Sequence, residues 1–309
     1  MKTLIKFLAI VAVATSAYAQ PKCAVYTIIN TVPPGGLMDQ TARDIAVTVK
    51  EVTGVSAVVE AKPSGEGVAA MAFLKTVPAD GCTVGYFRSS IFQRQAMEGT
   101  ESVGYDVMRE FSHAAIGLKF PFLIAGSNRM PPNTYREFVQ YVKNNKVSIS
   151  SAGAPNDIII DALEAIYKKP DWTRPMYKGG APQILDLLGA HTDFYVGITV
   201  PALQYAQEGK IKAYAVTSEH RLRGYPNVPT MRELGVNRVD YGWAAVSLLS
   251  TTDPEHVAWW GEIVQKTWQK KELHVKYDQA AGIVGEDTSP ATATKFLNAE
   301  MQKLRKKDK

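Results

Sequence analysis

Apolar positions alternate along this chain between strand-like runs of period two and stripes of helical period, in the order strand, helix, strand, helix. Residues 26–31 form a strand that runs into Val32-Pro33-Pro34-Gly35-Gly36 and then directly into a helix, whose apolar stripe is Leu37, Thr41, Ile45, Val49 and Val52. A second strand spans 56–61, a helix 67–77 and a third strand 82–87. An extended segment over 115–125 opens a second cycle: helix 134–144, strand 147–151, helix 157–168, a short strand at 175–177, helix 181–188 and strand 193–197. Another strand, 212–217, precedes the proline-bounded loop 226–230, and 243–250 reads as a further extended crossing. Asp253-Pro254-Glu255 is a helix start, with Asp as cap and Pro at the first helical position, and that helix carries Trp260, Val264 and Trp268. The last helix, 291–305, buries Phe296, Leu297, Met301 and Leu304.

Two α/β units in series predict a two-lobed α/β fold of the type II-like Venus-flytrap form, each lobe a mainly parallel sheet flanked by helices. The length supports this, because chains beyond about 250 residues usually split their core. Lobe 1 is expected to take residues 20–120 and 247–309, and lobe 2 residues 121–246. In open α/β sheets ligands bind beyond the carboxyl ends of the strands, so the loops of the two lobes should face one cleft. Gly35-Gly36 should then oppose Ser151-Ala152-Gly153, both Gly-containing turns at helix amino termini that favour an anion through free N–H donors and the helix dipole. Such turns are also a common way for α/β folds to connect a strand to a helix, so one of them alone says little.

The first residues bear on destination. Lys2 and Lys6 make a basic start, residues 7–14 are apolar but too few to span a bilayer, and Ala17-Tyr18-Ala19 has the small-x-small form of a cleavage site. Residues 1–19 are therefore expected to be a cleaved signal peptide and the mature chain to be periplasmic. Cys23 follows Gln20-Pro21-Lys22, which argues against lipidation. Cys23 and Cys82 lie at the amino ends of two strands; if these are parallel neighbours the sulfurs meet in a disulfide, and otherwise both are small buried residues.

Charge narrows the picture little. Loss of Lys2 and Lys6 lowers the net charge from +5 to about +3. The basic run from Lys303 to Lys309 is expected to be a solvated helix end rather than a nucleic-acid patch.

Seven blocks in order resemble the receptors of tripartite tricarboxylate transporters, the Bordetella uptake gene (Bug) proteins. They are residues 32–36 followed by Asp39, 63–67, 78–83, 151–153, 177–182, 209–210 with 215–218, and 228–233. The resemblance covers almost all of the mature chain. It implies a monomeric receptor without cofactor that closes on a small carboxylate-bearing molecule and delivers it to integral-membrane permease subunits. It also implies a ligand site around Pro34, Gly35, Gly36, Leu37, Met38 and Asp39 from lobe 1, with Ser151, Ala152 and Gly153 from lobe 2.

Departures from the family pattern mark where this chain's selectivity should lie. The run after Ser151-Ala152-Gly153 is Ala154-Pro155-Asn156-Asp157, where the family usually has small and hydroxylated residues and a His; Asp157 either caps its helix or faces ligand. Arg88 precedes Ser89-Ser90, where the family commonly has a small residue, and can grip a second carboxylate, sit on the rim or pair with Asp157. Gly197 stands where the family often has an Asp, which removes an acceptor for a ligand amine. Together these favour an acid without an amine. Trp243 and Phe87 are candidate wall residues.

Enzyme signatures are weak. Residues 65–70 fit Gly-x-Gly-x-x-Ala but follow the second strand, and no acidic residue ends the next one. The five histidines are scattered without metal-ligand spacing, and no Gly-x-Ser-x-Gly elbow or phosphate loop occurs. The alternatives to uptake are a ligand sensor that docks on a two-component kinase and an enzyme with an unmarked site.

Overall fold

Strand β1 (Tyr26–Asn30) lies between β2 (Ala57–Ala61) and β3 (Thr83–Arg88), parallel to both, in a computed structural model that describes residues 18–168, 172–279 and 287–305. Helix α1 (Leu37–Thr53) makes the crossover to β2, and its buried face includes Thr41, Ile45 and Val49, as the stripe predicts. Helix α2 (Val68–Leu74) returns the chain to β3, and α3 (Ser89–Glu98) follows β3 without a loop. Sequence periodicity missed α3, because its buried residues include Ser89, Ser90, Gln93 and Gln95 beside Ile91, Phe92 and Ala96, which breaks the apolar stripe.

The seventeen-residue strand β4 (Phe111–Ser127) joins the lobes. Residues 111–121 pair antiparallel with β8 (Tyr241–Leu249), and from Phe122 onward β4 pairs with β6 (Phe194–Ile198) and β7 (Ile211–Val216). The change of partner falls at Pro121-Phe122, where proline has no N–H for the ladder. The rest of lobe 2 comprises α4 (Tyr135–Asn144), β5 (Ile149–Ser150) parallel to β6, α5 (Ala154–Tyr167), α6 (Gly180–Leu188) and α7 (Thr199–Gln207). Helices α8 (Pro254–Trp268), α9 (Lys271–Gln279) and α10 (Pro290–Arg305) complete lobe 1.

Each lobe's sheet is thus mixed rather than mainly parallel, because the strands that cross between lobes enter against the direction of their neighbours. The expected lobe boundary at 246/247 falls inside β8, which pairs with β3 and β4 from Tyr241 on. On that pairing we propose to draw it before Tyr241 instead. The stretch at 175–177 is a single bridge from Met176 to Ser151.

Packing explains the apolar pattern. In lobe 1 the Tyr26 ring stacks on Trp259 at 5.4 Å and meets the edge of Trp260, whose indole N–H donates to the Gly81 carbonyl. In lobe 2 Phe138 sits between Phe194 and Tyr214, at 4.9 and 5.3 Å. Cys23 and Cys82 form a disulfide between the approaches to β1 and β3, which settles their pairing in favour of the bridge. Trp243 and Phe87 are fully buried in the lobe 1 core, Trp243 against Phe92 and Phe296, and neither walls the cleft. No described helix is long and apolar enough to cross a membrane. Residues 1–17 of the expected leader and residues 306–309 of the basic tail lie outside the described residues.

Candidate functional site

Four helices begin around one cavity of about 140 Å³ between the lobes. Their N-cap positions are Gly36 for α1, Arg88 for α3, Gly153 for α5 and Gly179 for α6, and at none of them does a side chain accept from the first turn. Elsewhere Thr134 caps α4 and Asp253 caps α8 through side-chain oxygens, while α2 and α7 also start without a side-chain cap. The helices that face the cavity thus turn positive dipole ends toward whatever enters, with first-turn N–H groups beside them except at Pro155 and Pro182, which have none. The local cause is visible in the chain: glycine at Gly36, Gly153 and Gly179 offers no capping oxygen, and at φ +118 and +106 the last two favour a residue without a Cβ.

The wall combines apolar surface with polar groups, and its charged groups are cationic. Val32, Leu37, Met38, Phe120, Phe122 and Ile198 supply apolar surface, while Arg88, Ser89, Asn156, Lys178 and Gln183 supply polar groups. No carboxylate is among the lining residues. Arg88 donates from Nη2 to the Ala152 carbonyl at 2.9 Å, so a side chain of lobe 1 touches the loop of lobe 2. Burial lowers the Arg88 pKa, and the nearby Glu66 charge opposes that shift. Glu66 itself holds a left-handed backbone, φ 56, and its Oε1 lies 2.3 Å from where a Cβ on Gly153 would stand.

Of the residues expected from sequence, Pro34, Gly36, Leu37, Met38, Arg88, Ser89, Ala152 and Asn156 line the cavity. The others stand behind it. Gly35 donates its N–H to Asp39 Oδ2 at 3.0 Å, and Asp39 also pairs with Arg43. Burial raises the Asp39 pKa, but these bonds outweigh it and hold the carboxyl below its ordinary range. Ser90 donates to the Glu66 carbonyl, and Ser151 Oγ accepts from the Gly153 N–H. Asp157 neither caps α5 nor faces the cavity: the helix starts at Ala154, so Asp157 lies within its first turn, where burial raises its pKa. Nor does it pair with Arg88. Gly197 has a packing reason, because a Cβ there would stand 2.2 Å from the Tyr195 ring.

Sequence reasoning missed Lys178, Gln183, Phe120, Phe122 and Ile198 as wall residues. The Gly179-Gly180 pair was a usable signal, being a third Gly-containing strand-to-helix turn. The aromatic and aliphatic residues carried no signal, because they read as ordinary strand positions.

A profile of the tripartite tricarboxylate transporter family receptors matches residues 41–303. Protein BugT of Bordetella pertussis is 24% identical over 303 residues, covering 95% of this chain and 90% of BugT. Among solved structures, the periplasmic binding protein BugD superposes with a TM-score of 0.84 at 23% identity, covering 91% of this chain and 95% of that one. MatC from Rhodopseudomonas palustris with bound malate superposes with a TM-score of 0.83 at 21% identity, covering 91% of this chain and 98% of that one. These likenesses agree with the two-lobed solute-binding fold.

Proposed function

Because the chain belongs to the tripartite tricarboxylate transporter family of receptors, we propose that it captures a small organic acid in the interlobe cavity and hands it to a membrane permease for uptake. The observation that carries this reading is the convergence of four helix starts without side-chain caps on a cavity whose charged lining groups, Arg88 and Lys178, are both cations. Preformed backbone donors hold a carboxylate without ordering a long side chain, and the cations add charge-assisted bonds. The apolar lining suits the carbon skeleton of the acid. That MatC was solved with malate supports a carboxylate as the ligand class.

On this reading the receptor works in the periplasm after its leader is removed, as a monomer, and closure of the lobes is what the permease senses. Binding without turnover is expected. A thermal-shift series over mono-, di- and tricarboxylates, with product analysis of each mixture, tests it: stabilisation by an acid recovered unchanged supports a receptor. No stabilisation by any carboxylate, or conversion of the acid, would sink it. Permease genes beside this one would favour uptake, whereas a two-component pair would favour sensing.

A further inference from the structure

The neutral polar side chains of the cavity wall are turned to the protein rather than to a ligand. Asn156 Nδ2 and Gln183 Nε2 both donate to the Val196 carbonyl, and Gln183 Nε2 donates to that of Ser150 as well, at 2.9 Å. Both residues are buried, and so is Ser89 at the start of α3. Of the lining side chains, Arg88 and the exposed Lys178 are left to meet a polar atom of the ligand, beside the helix starts, and each of these suits an anion.

The rest of the lining is carbon that keeps accessible surface. Val32 and Ile198 are half-buried, and Pro34 from lobe 1 and Pro182 from lobe 2 are exposed. Phe120 and Phe122 meet edge to face at 5.8 Å and add aromatic carbon. Proline loses no side-chain entropy when covered, so part of this surface is preformed. A hydroxyl set against such a wall gives up its water and gains no partner, whereas a methyl in the same place is buried at a gain. The volume sets the size: apolar cavities of roughly 150 Å³ accept a benzene ring, and this one is about 140 Å³.

We propose that the ligand, with one carboxylate or two, is an acid whose body is apolar and about the size of one ring, and that the cavity discriminates against acids whose bodies carry hydroxyls. This rests on the reading of the cavity as a carboxylate site and narrows it to a chemical class.

Titration calorimetry on the mature protein tests it with pairs of equal charge: hexanoate against gluconate, and 2,3-dimethylsuccinate against tartrate, in which hydroxyls replace methyls. Wild type should bind the apolar member of at least one pair about tenfold more tightly, with a negative heat-capacity change. In Ile198→Thr, which sets a hydroxyl in the wall, that ratio should fall about threefold. A ratio that holds in the variant would place the preference outside this wall and overturn the proposal. Should the variant fail to fold, the wild-type ratios decide alone. Affinities within about threefold of each other in both pairs, or tighter binding of the hydroxylated members, refute it and leave the carboxylate reading standing. Absence of binding by all four acids would instead strike that reading and take the proposal down with it.

Discussion

The Asp39 carboxylate accepts the Gly35 N–H at 3.0 Å while it is paired with Arg43, so one donor of the Pro-Pro-Gly-Gly turn is spent inside the protein. The turn therefore meets the cavity with its shape fixed by the helix that follows it. On the proposed function, the turn serves as an anion site with its shape set by that internal carboxylate, although Asp39 itself does not line the cavity.

Asp39→Asn should loosen the turn. Loss of the charge-assisted bonds is expected to cost about 1–2 kcal/mol of stability and to weaken acid binding about tenfold. The pH dependence has a definite sign. The Asp39 pKa is lowered from 3.8 on folding, so its contribution is full above that value and is lost as pH falls through the lower folded one. Urea unfolding of wild type and variant between neutral pH and pH near 3 checks this; parallel curves would count against it.

Arg88→Ala should discriminate between ligands. With its Nη2 on the Ala152 carbonyl, the guanidinium still borders the cavity, and a diacid can use its remaining donors. Succinate affinity should fall at least tenfold while butyrate falls only a few fold, as read by titration calorimetry. If the diacid were unaffected, Arg88 would have no part in gripping a second carboxylate.

The Cys23–Cys82 bridge closes a loop with a sequence separation of 59. On the chain-entropy account, opening it should remove about 4 kcal/mol. The double substitution Cys23→Ala with Cys82→Ala should lower the melting temperature by several degrees and make it indifferent to reductant. A melting temperature equal to that of the oxidised wild type would contradict the estimate.

His113 sets a second pH dependence, in the core. Its ring is bonded to Ser247 Oγ and the Val107 carbonyl, and burial pushes its pKa down to about 4. The unfolded chain binds the proton near the ordinary value of 6.5, so stability is full above that value and declines as pH falls from 6.5 to about 4. The decline should total about 3 kcal/mol, and His113→Gln should flatten it. Chemical denaturation at closely spaced pH values would reveal a flat wild-type profile if the ring charges freely in the fold.

How much of this was legible beforehand depended on whether the relevant chemistry is contiguous. The turn at Gly35-Gly36, the helix start at Pro254 and the stripe of α1 are written within a few neighbouring residues, since backbone donors, capping and helical periodicity are local properties. The pairing of Cys23 with Cys82 needed one further step, that β1 and β3 are parallel neighbours.

Other features belong to the packed molecule. Gly197 reads as a lost acceptor until the Tyr195 ring is seen to occupy the space above it, and Asp157 reads as a cap until the helix is seen to begin three residues earlier. Phe120 and Phe122 become cavity wall because β4 changes partner at Pro121 between the lobes, and Ile198 joins them because β6 pairs it with Phe122. By itself the sequence determined the two α/β units and the Gly-containing turns at the helix starts, because these follow from short-range pattern. Only the tertiary structure decided which side chains line the cavity, because strand direction and the meeting of two lobes bring together residues that no local spacing relates.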